Sequence, residues 1–143
     1  MATNCFHINS FLDQGTRELK RAERYRVFVS LLLLDLSFVH DMFGERSRDI
    51  MDALVKTACE QVRGCDIVAR VNGSIALLFP ETPRQGAEIT SRRLSDVLRQ
   101  KLVELSDHNV DAVIPLEIAS YPDTAGVRAL AESLEELSQK RQN

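Results

Sequence analysis

Two groups of residues in this sequence have the types and spacing to do chemistry. The first is Arg63-Gly64-Cys65-Asp66, with Arg70 four residues beyond it. A guanidinium offers forked N–H donors and a carboxylate offers two acceptor oxygens, so Arg and Asp three residues apart can hold one polar ligand at two points. The same pair can serve the fold instead. An arginine at a helix end complements the helix dipole, and an aspartate opening a strand bonds a turn amide. The tetrapeptide spacing decides nothing alone, because Arg46-Ser47-Arg48-Asp49 and Arg93-Leu94-Ser95-Asp96 repeat it. The second group is acidic: Asp35 closes the longest apolar run, and Asp41 follows it. One carboxylate holds Mg²⁺ poorly, since that ion gives up its water reluctantly. The structural role for both aspartates is capping a turn or helix.

Other metal and thiol chemistry finds little support. His7, His40 and His108 are scattered and pair with no cysteine or second histidine as a ligand set, so neither a metal nor another cofactor is expected. Cys5, Cys59 and Cys65 are odd in number and lack CxxC spacing, which points to reduced thiols rather than a disulfide framework. With 143 residues, 44% hydrophobic and 27% charged, the chain reads as a single domain over residues 1–143. A net charge of −3 with dispersed Lys and Arg excludes the basic stripe that nucleic-acid binding requires. The apolar run at 27–34 is far short of the roughly 20 residues needed to span a membrane. The amino terminus, MATNCFHINSF, has no secretory pattern, so a cytoplasmic domain is expected.

The elements that must position these residues follow from periodicity and turn chemistry. Ser10 with Asp13 suits a helix start, and Phe11, Leu12, Gly15, Leu19, Ala22 and Tyr25 fall near one face, giving a leading helix in 1–25 and a core in 26–143. VFVSLLLLD at 27–35 is continuously apolar, as a central strand covered on both faces should be. Ser47 caps a helix carrying Ile50, Ala53, Leu54, Ala58 and Val62, which delivers Arg63. Asn72-Gly73 between the β-forming runs 66–71 and 74–79 marks a tight hairpin, with both turn residues expected at positive φ. Thr82 as N-cap, Pro83 and Gln85 open a long helix lined by Ala87, Thr90, Leu94, Val97, Leu98, Leu102 and Leu105, ending at SDHN from Ser106. DAVIPLEIASYP reads as a last long strand, with Pro115 at an unpaired edge or bulge, and Val127, Leu130, Ala131, Leu134 and Leu137 mark a terminal helix. The order is a helix followed by β-α-α-β-β-α-β-α, which suits an α+β fold with a mostly antiparallel sheet flanked by helices.

Several segments resemble the GGDEF (diguanylate cyclase) family, over nearly the whole chain. ELKRAERY is similar to the helix preceding the family's first strand, VFVSLLLLD to that strand, DMFGERSRD to the region after it, FPET to the end of the second hairpin strand and ASYP to the last strand. The resemblance implies that fold, and an activity joining two GTP molecules across a homodimer around Mg²⁺. In such enzymes the first-strand Asp and an acidic turn residue hold the metal. Asp35 occupies the first position, but Val71-Asn72-Gly73-Ser74-Ile75 stands in place of YGGDEF, one residue shorter and without a carboxylate. A deletion between Asp35 and Asp41 removes the family's guanine-contacting Asn, and its phosphate-assisting Lys in the last helix has no clear equivalent. A catalytically inactive domain is therefore expected, with no metal and Asp35 vestigial.

The family also has a product-binding inhibitory site, an RxxD ahead of the turn. Arg63 and Asp66 reproduce its offset from Asn72. The resemblance thus implies a candidate receptor for cyclic di-GMP through Arg63 and Asp66, supported by Arg70, unless Arg70 makes a cross-strand ion pair. A guanidinium fork can bond guanine O6 and N7 or clamp phosphate, and a carboxylate can accept from guanine N1 and N2. An attached domain or partner protein would receive the signal; a homodimer is left open. The alternative is an interaction or scaffold module that binds no nucleotide.

Overall fold

The computed structural model describes residues 5–106, 113–122 and 128–140. Chain order is β1 (Cys5–Phe6), α1 (Ile8–Tyr25), β2 (Val29–Asp35), α2 (Phe38–Phe43), a 3₁₀ turn (Gly44–Arg46) and α3 (Ser47–Gln61). The hairpin β3 (Ile67–Val71) and β4 (Ser74–Pro80), α4 (Arg84–Ser106), β5 (Leu116–Tyr121), β6 (Arg128–Ala129) and α5 (Leu130–Lys140) complete it. The six strands lie in the order β1-β3-β4-β2-β5-β6. The inner four pair antiparallel, while the two-residue edge strands pair parallel with β3 and β5. The expected α+β architecture is present, and the short edge strands add to it.

The continuous apolar run places β2 between β4 and β5, and alternation sorts its side chains into two cores. Leu32 and Leu34 join Leu54 of α3 and Leu94 and Leu98 of α4 on one face. Val29 and Leu31 join Phe11 of α1 and Leu134 and Leu137 of α5 on the other. Helices thus cover both faces of the sheet. Each fully buried leucine contributes about 2 kcal/mol of apolar transfer.

Local chemistry corrects several boundaries. Helix α1 starts at Ile8 rather than after Ser10, because the His7 ring accepts the Asn9 amide at 3.2 Å and caps the helix earlier. Tyr25, expected on the buried face, is 62% exposed at the helix end. Ser47 is the first residue of α3, and Arg46 precedes it without a side-chain cap. Pro115 lies just before β5, so its missing N–H costs the ladder nothing, and its carbonyl accepts the Asp35 amide at 2.9 Å. The expected ending at Ser106-Asp107-His108-Asn109 and the apolar Val127 lie largely outside the described residues.

The thiols also differ from expectation. Cys5 and Cys59, 54 positions apart in sequence, form a disulfide with Cα atoms 6.0 Å apart, and Cys65 is a free exposed thiol. The reduced state expected from spacing fails because pairing depends on topology: β1 lies along β3, directly under the last turn of α3 that carries Cys59.

Candidate ligand-binding site

The β3–β4 hairpin has an open end, where α3 enters and α4 leaves, and a turn end at Asn72-Gly73. Arg63 and Asp66 meet at the open end. The Asp66 amide bonds the Arg63 carbonyl at 3.0 Å, and the Arg63 amide returns to Asp66 Oδ2 at 2.9 Å, closing a compact turn between helix and strand. The guanidinium folds over the same carboxylate, with Nη2 3.1 Å from Oδ1 and Nε 3.4 Å from Oδ2. Asp66 is buried at 3% exposure, whereas the Arg63 side chain is 59% exposed. The Asp66 hydrogen bond raises the Arg63 pKa from its already high ordinary value.

The guanidinium also ties α3 to the end of β4. Its Nη2 donates to the Pro80 carbonyl at 3.1 Å and to Thr82 Oγ1 at 2.7 Å, while the Thr82 hydroxyl donates to Pro80 at 3.0 Å. Thr82 was expected to cap α4; its hydroxyl serves Arg63 and Pro80 instead. Its carbonyl accepts from the buried Ser30 hydroxyl at 2.8 Å, which fixes the residue from the β2 side. A groove of about 270 Å³ lies here, lined by Arg63, Asp66, Phe79, Thr82, Gly86, Thr90 and Arg93. Arg93 of α4 donates to the Gln61 carbonyl at 2.9 Å and to Gln61 Oε1 at 3.2 Å, closing the C-terminus of α3.

Arg70 is elsewhere. It stands four residues up β3 from Asp66, about 13 Å at strand rise, and bonds Asp52 of α3 at 3.0 Å and the Asn72 carbonyl at 3.4 Å. Its ion pair runs to a helix rather than across strands. It lines a separate groove of about 410 Å³ with Ser37, His40, Arg48, Asn72 and Gly73. Geometry therefore groups Arg63, Asp66 and Arg93, the last of which sequence reasoning passed over as one of the uninformative repeats of the RxxD spacing.

At the turn end, Val71 pairs with Ser74 around a two-residue loop. Asn72 takes φ 53°, but Gly73 is outside the left-handed region, contrary to the expectation for both turn residues. Glycine is favoured at 73 for another reason: a Cβ there would lie a tight 3.2 Å from the Ser37 Cα. The Gly73 carbonyl accepts the Leu36 amide at 2.8 Å, so the turn closes onto the β2–α2 junction. Asp35 Oδ1 accepts the Ser37 amide at 3.0 Å, and bonds to Ser37 hold its carboxyl below the ordinary range. Among the described residues no three His, Cys, Asp or Glu side chains converge as metal ligands, and no helix is long and apolar enough to cross a membrane.

The strand order, the helices on both faces and the hairpin between α3 and α4 define the fold of GGDEF domains. The chain is similar to the isolated GGDEF domain of YfiN (TpbB) from Pseudomonas aeruginosa, at 22% identity and a TM-score of 0.68, covering 99% of this chain and 84% of that one. It is similar to the diguanylate cyclase SiaD of the same organism, solved with its activator SiaC, at 17% identity and a TM-score of 0.67; the match covers 95% of this chain and 53% of SiaD. It also resembles the GGDEF domain of DgcB from Caulobacter crescentus, solved with cyclic di-GMP, at 16% identity and a TM-score of 0.61, covering 97% of this chain and 84% of that one. No family model and no curated protein sequence matches the chain.

Proposed function

We propose that this chain is a catalytically inactive GGDEF-like signalling domain of the cytoplasm that receives cyclic di-GMP at the open end of the hairpin. Arg63 and Arg93 are the ligand-contacting residues, and Asp66 positions Arg63. The observation that carries this reading is the convergence of two guanidinium groups and a carboxylate on one groove beside Thr82 and Thr90. Two guanidinium forks suit a dinucleotide, whose phosphates are anionic and whose guanine edges accept at O6 and N7. The turn end supports the inactive assignment: Asn72-Gly73 brings no carboxylate to Asp35, whose Oδ1 already accepts the Ser37 amide.

Calorimetric titration with cyclic di-GMP tests the assignment. Saturable binding at ligand concentrations of about ten micromolar is expected. It should weaken at least tenfold in Arg63→Ala and in Arg93→Ala, about 1.4 kcal/mol each, and stay unchanged in Arg70→Ala. No heat, or binding indifferent to Arg63→Ala, overturns it. Incubation with GTP and Mg²⁺ or Mn²⁺ should yield no cyclic di-GMP; product would overturn the inactive assignment.

One observation favours a second reading, an interaction module without nucleotide. Asp66 is buried, and both its oxygens already accept from Arg63, so its carboxylate serves the fold before any ligand arrives. On that reading the titration is silent, and Arg63→Ala alters stability alone.

A further inference from the structure

We infer that Cys5 and Cys59 form a thiol–disulfide switch that clamps or frees the N-terminal strand at the open edge of the sheet. Among the described residues, strand β1 is two residues long and pairs only Cys5 with Val68 and Phe6 with Ala69 on β3. So short a strand gains little from its ladder, and the covalent link to α3 is what fastens it. The two cysteines differ in access. Cys5 is exposed, while Cys59 is buried at 3% in the last turn of α3, so an incoming thiol reaches the Cys5 sulfur first.

The chemistry balances with a small-molecule disulfide such as oxidised glutathione. The Cys5 and Cys59 thiols give up two protons and two electrons as their Sγ–Sγ bond forms. The S–S bond of the oxidant breaks and takes them up as two thiols; excess small thiol runs the exchange backwards. Reduction leaves β1 held by a two-residue pairing and by Phe6, which is only partly buried against the core beneath α1. The outer edge of β3 is then uncovered, a row of backbone groups whose pairing with another strand the clamp prevents. A disulfide between residues of such different exposure, in a chain without a disulfide framework, fits a responsive bond better than a permanent one.

The test uses the whole chain, oxidised with glutathione disulfide or reduced with excess dithiothreitol. With glutathione disulfide, intact mass should show the loss of two hydrogens in Cys65→Ser, and the same loss together with one glutathione adduct at exposed Cys65 in the wild type; Cys5→Ser should show no such loss and carry glutathione adducts only. At short labelling times, hydrogen exchange of peptides covering 5–8 and 67–71 should be about tenfold faster in the reduced protein, while β2 and β5, which open only on global unfolding, stay protected over the same times. Cys5→Ser should exchange like the reduced form under both conditions. The inference fails if no disulfide forms at Cys5, if exchange at β1 and β3 ignores redox state, or if reduction opens β2 and β5 at the same short times as β1 and β3.

Discussion

The two ends of the β3–β4 hairpin are built on opposite plans. The turn end is closed by the backbone: a two-residue loop, a glycine with only tight space for a Cβ, and an amide bonded to the Gly73 carbonyl. The open end is closed by side chains, as Asp66, Arg63, Thr82 and Arg93 bridge α3, β4 and α4, with the Cys5–Cys59 bond close behind. A backbone closure leaves little for a ligand to exploit. Side-chain closures can be re-formed around one, because guanidinium groups exchange partners without moving the chain. That contrast favours the open end for the proposed recognition.

The contrast can be broken first at the disulfide. Closing a loop between residues 54 positions apart stabilises by about 4 kcal/mol in the chain-entropy account. Cys5→Ser should therefore lower stability by up to about that amount in oxidising buffer, read from urea unfolding, and should match the wild type once both are reduced. Equal stability of variant and wild type under oxidation would mean that the open end is not covalently braced.

Asp66→Ala comes next, at about 2 kcal/mol. It strips a buried acceptor from the Arg63 amide and from the guanidinium. Arg63→Ala should cost less, under about 1 kcal/mol, since its side chain is more than half exposed. A larger effect for Arg63 than for Asp66 would reverse the order of importance within the pair.

How far the sequence foretells this arrangement depends on whether local chemistry or topology decides each residue. Strand β2 is legible because both its faces are buried, which removes the alternation of a half-exposed strand. The hairpin is legible because Asn-Gly admits few other conformations. The His7 cap is missed because serine is the commoner acceptor and stands three residues on. Arg93 and the Cys5–Cys59 bond are missed for one shared reason: each meets its partner across the fold, at separations of 32 and 54 residues, where spacing along the chain says nothing. Arg70 misleads in the opposite sense. It is close to Asp66 in sequence, but a strand carries it to the other end of the hairpin.

Glycine substitutions compare the ends at smaller effect. Gly73→Ala should cost about 1 kcal/mol, because the new Cβ meets Ser37 backbone at 3.2 Å and the turn or α2 must shift. Gly64→Ala, at the open end, meets nothing within 4 Å and sits outside the left-handed region, so it should be neutral or slightly stabilising. Thermal unfolding of the two variants checks the difference; equal losses would erase the distinction between a backbone-closed and a side-chain-closed end.

The smallest effect belongs to Asp35, whose carboxyl is held below its ordinary pKa of 3.8 chiefly by the Ser37 amide. A group with a depressed folded-state pKa adds stability above its unfolded-state pKa and loses it as pH falls through the folded-state value. The contribution of Asp35 should thus be complete at neutral pH and disappear in the acid range below about pH 4. Asp35→Asn keeps an acceptor for the Ser37 amide but removes the titration, so its stability should fall less steeply with acid than that of the wild type. Because the side chain is exposed, the difference should stay within a few tenths of a kcal/mol, about the scale of a solvent-screened charge. Identical acid profiles would show that the turn end draws nothing from the Asp35 charge and is held by its backbone alone.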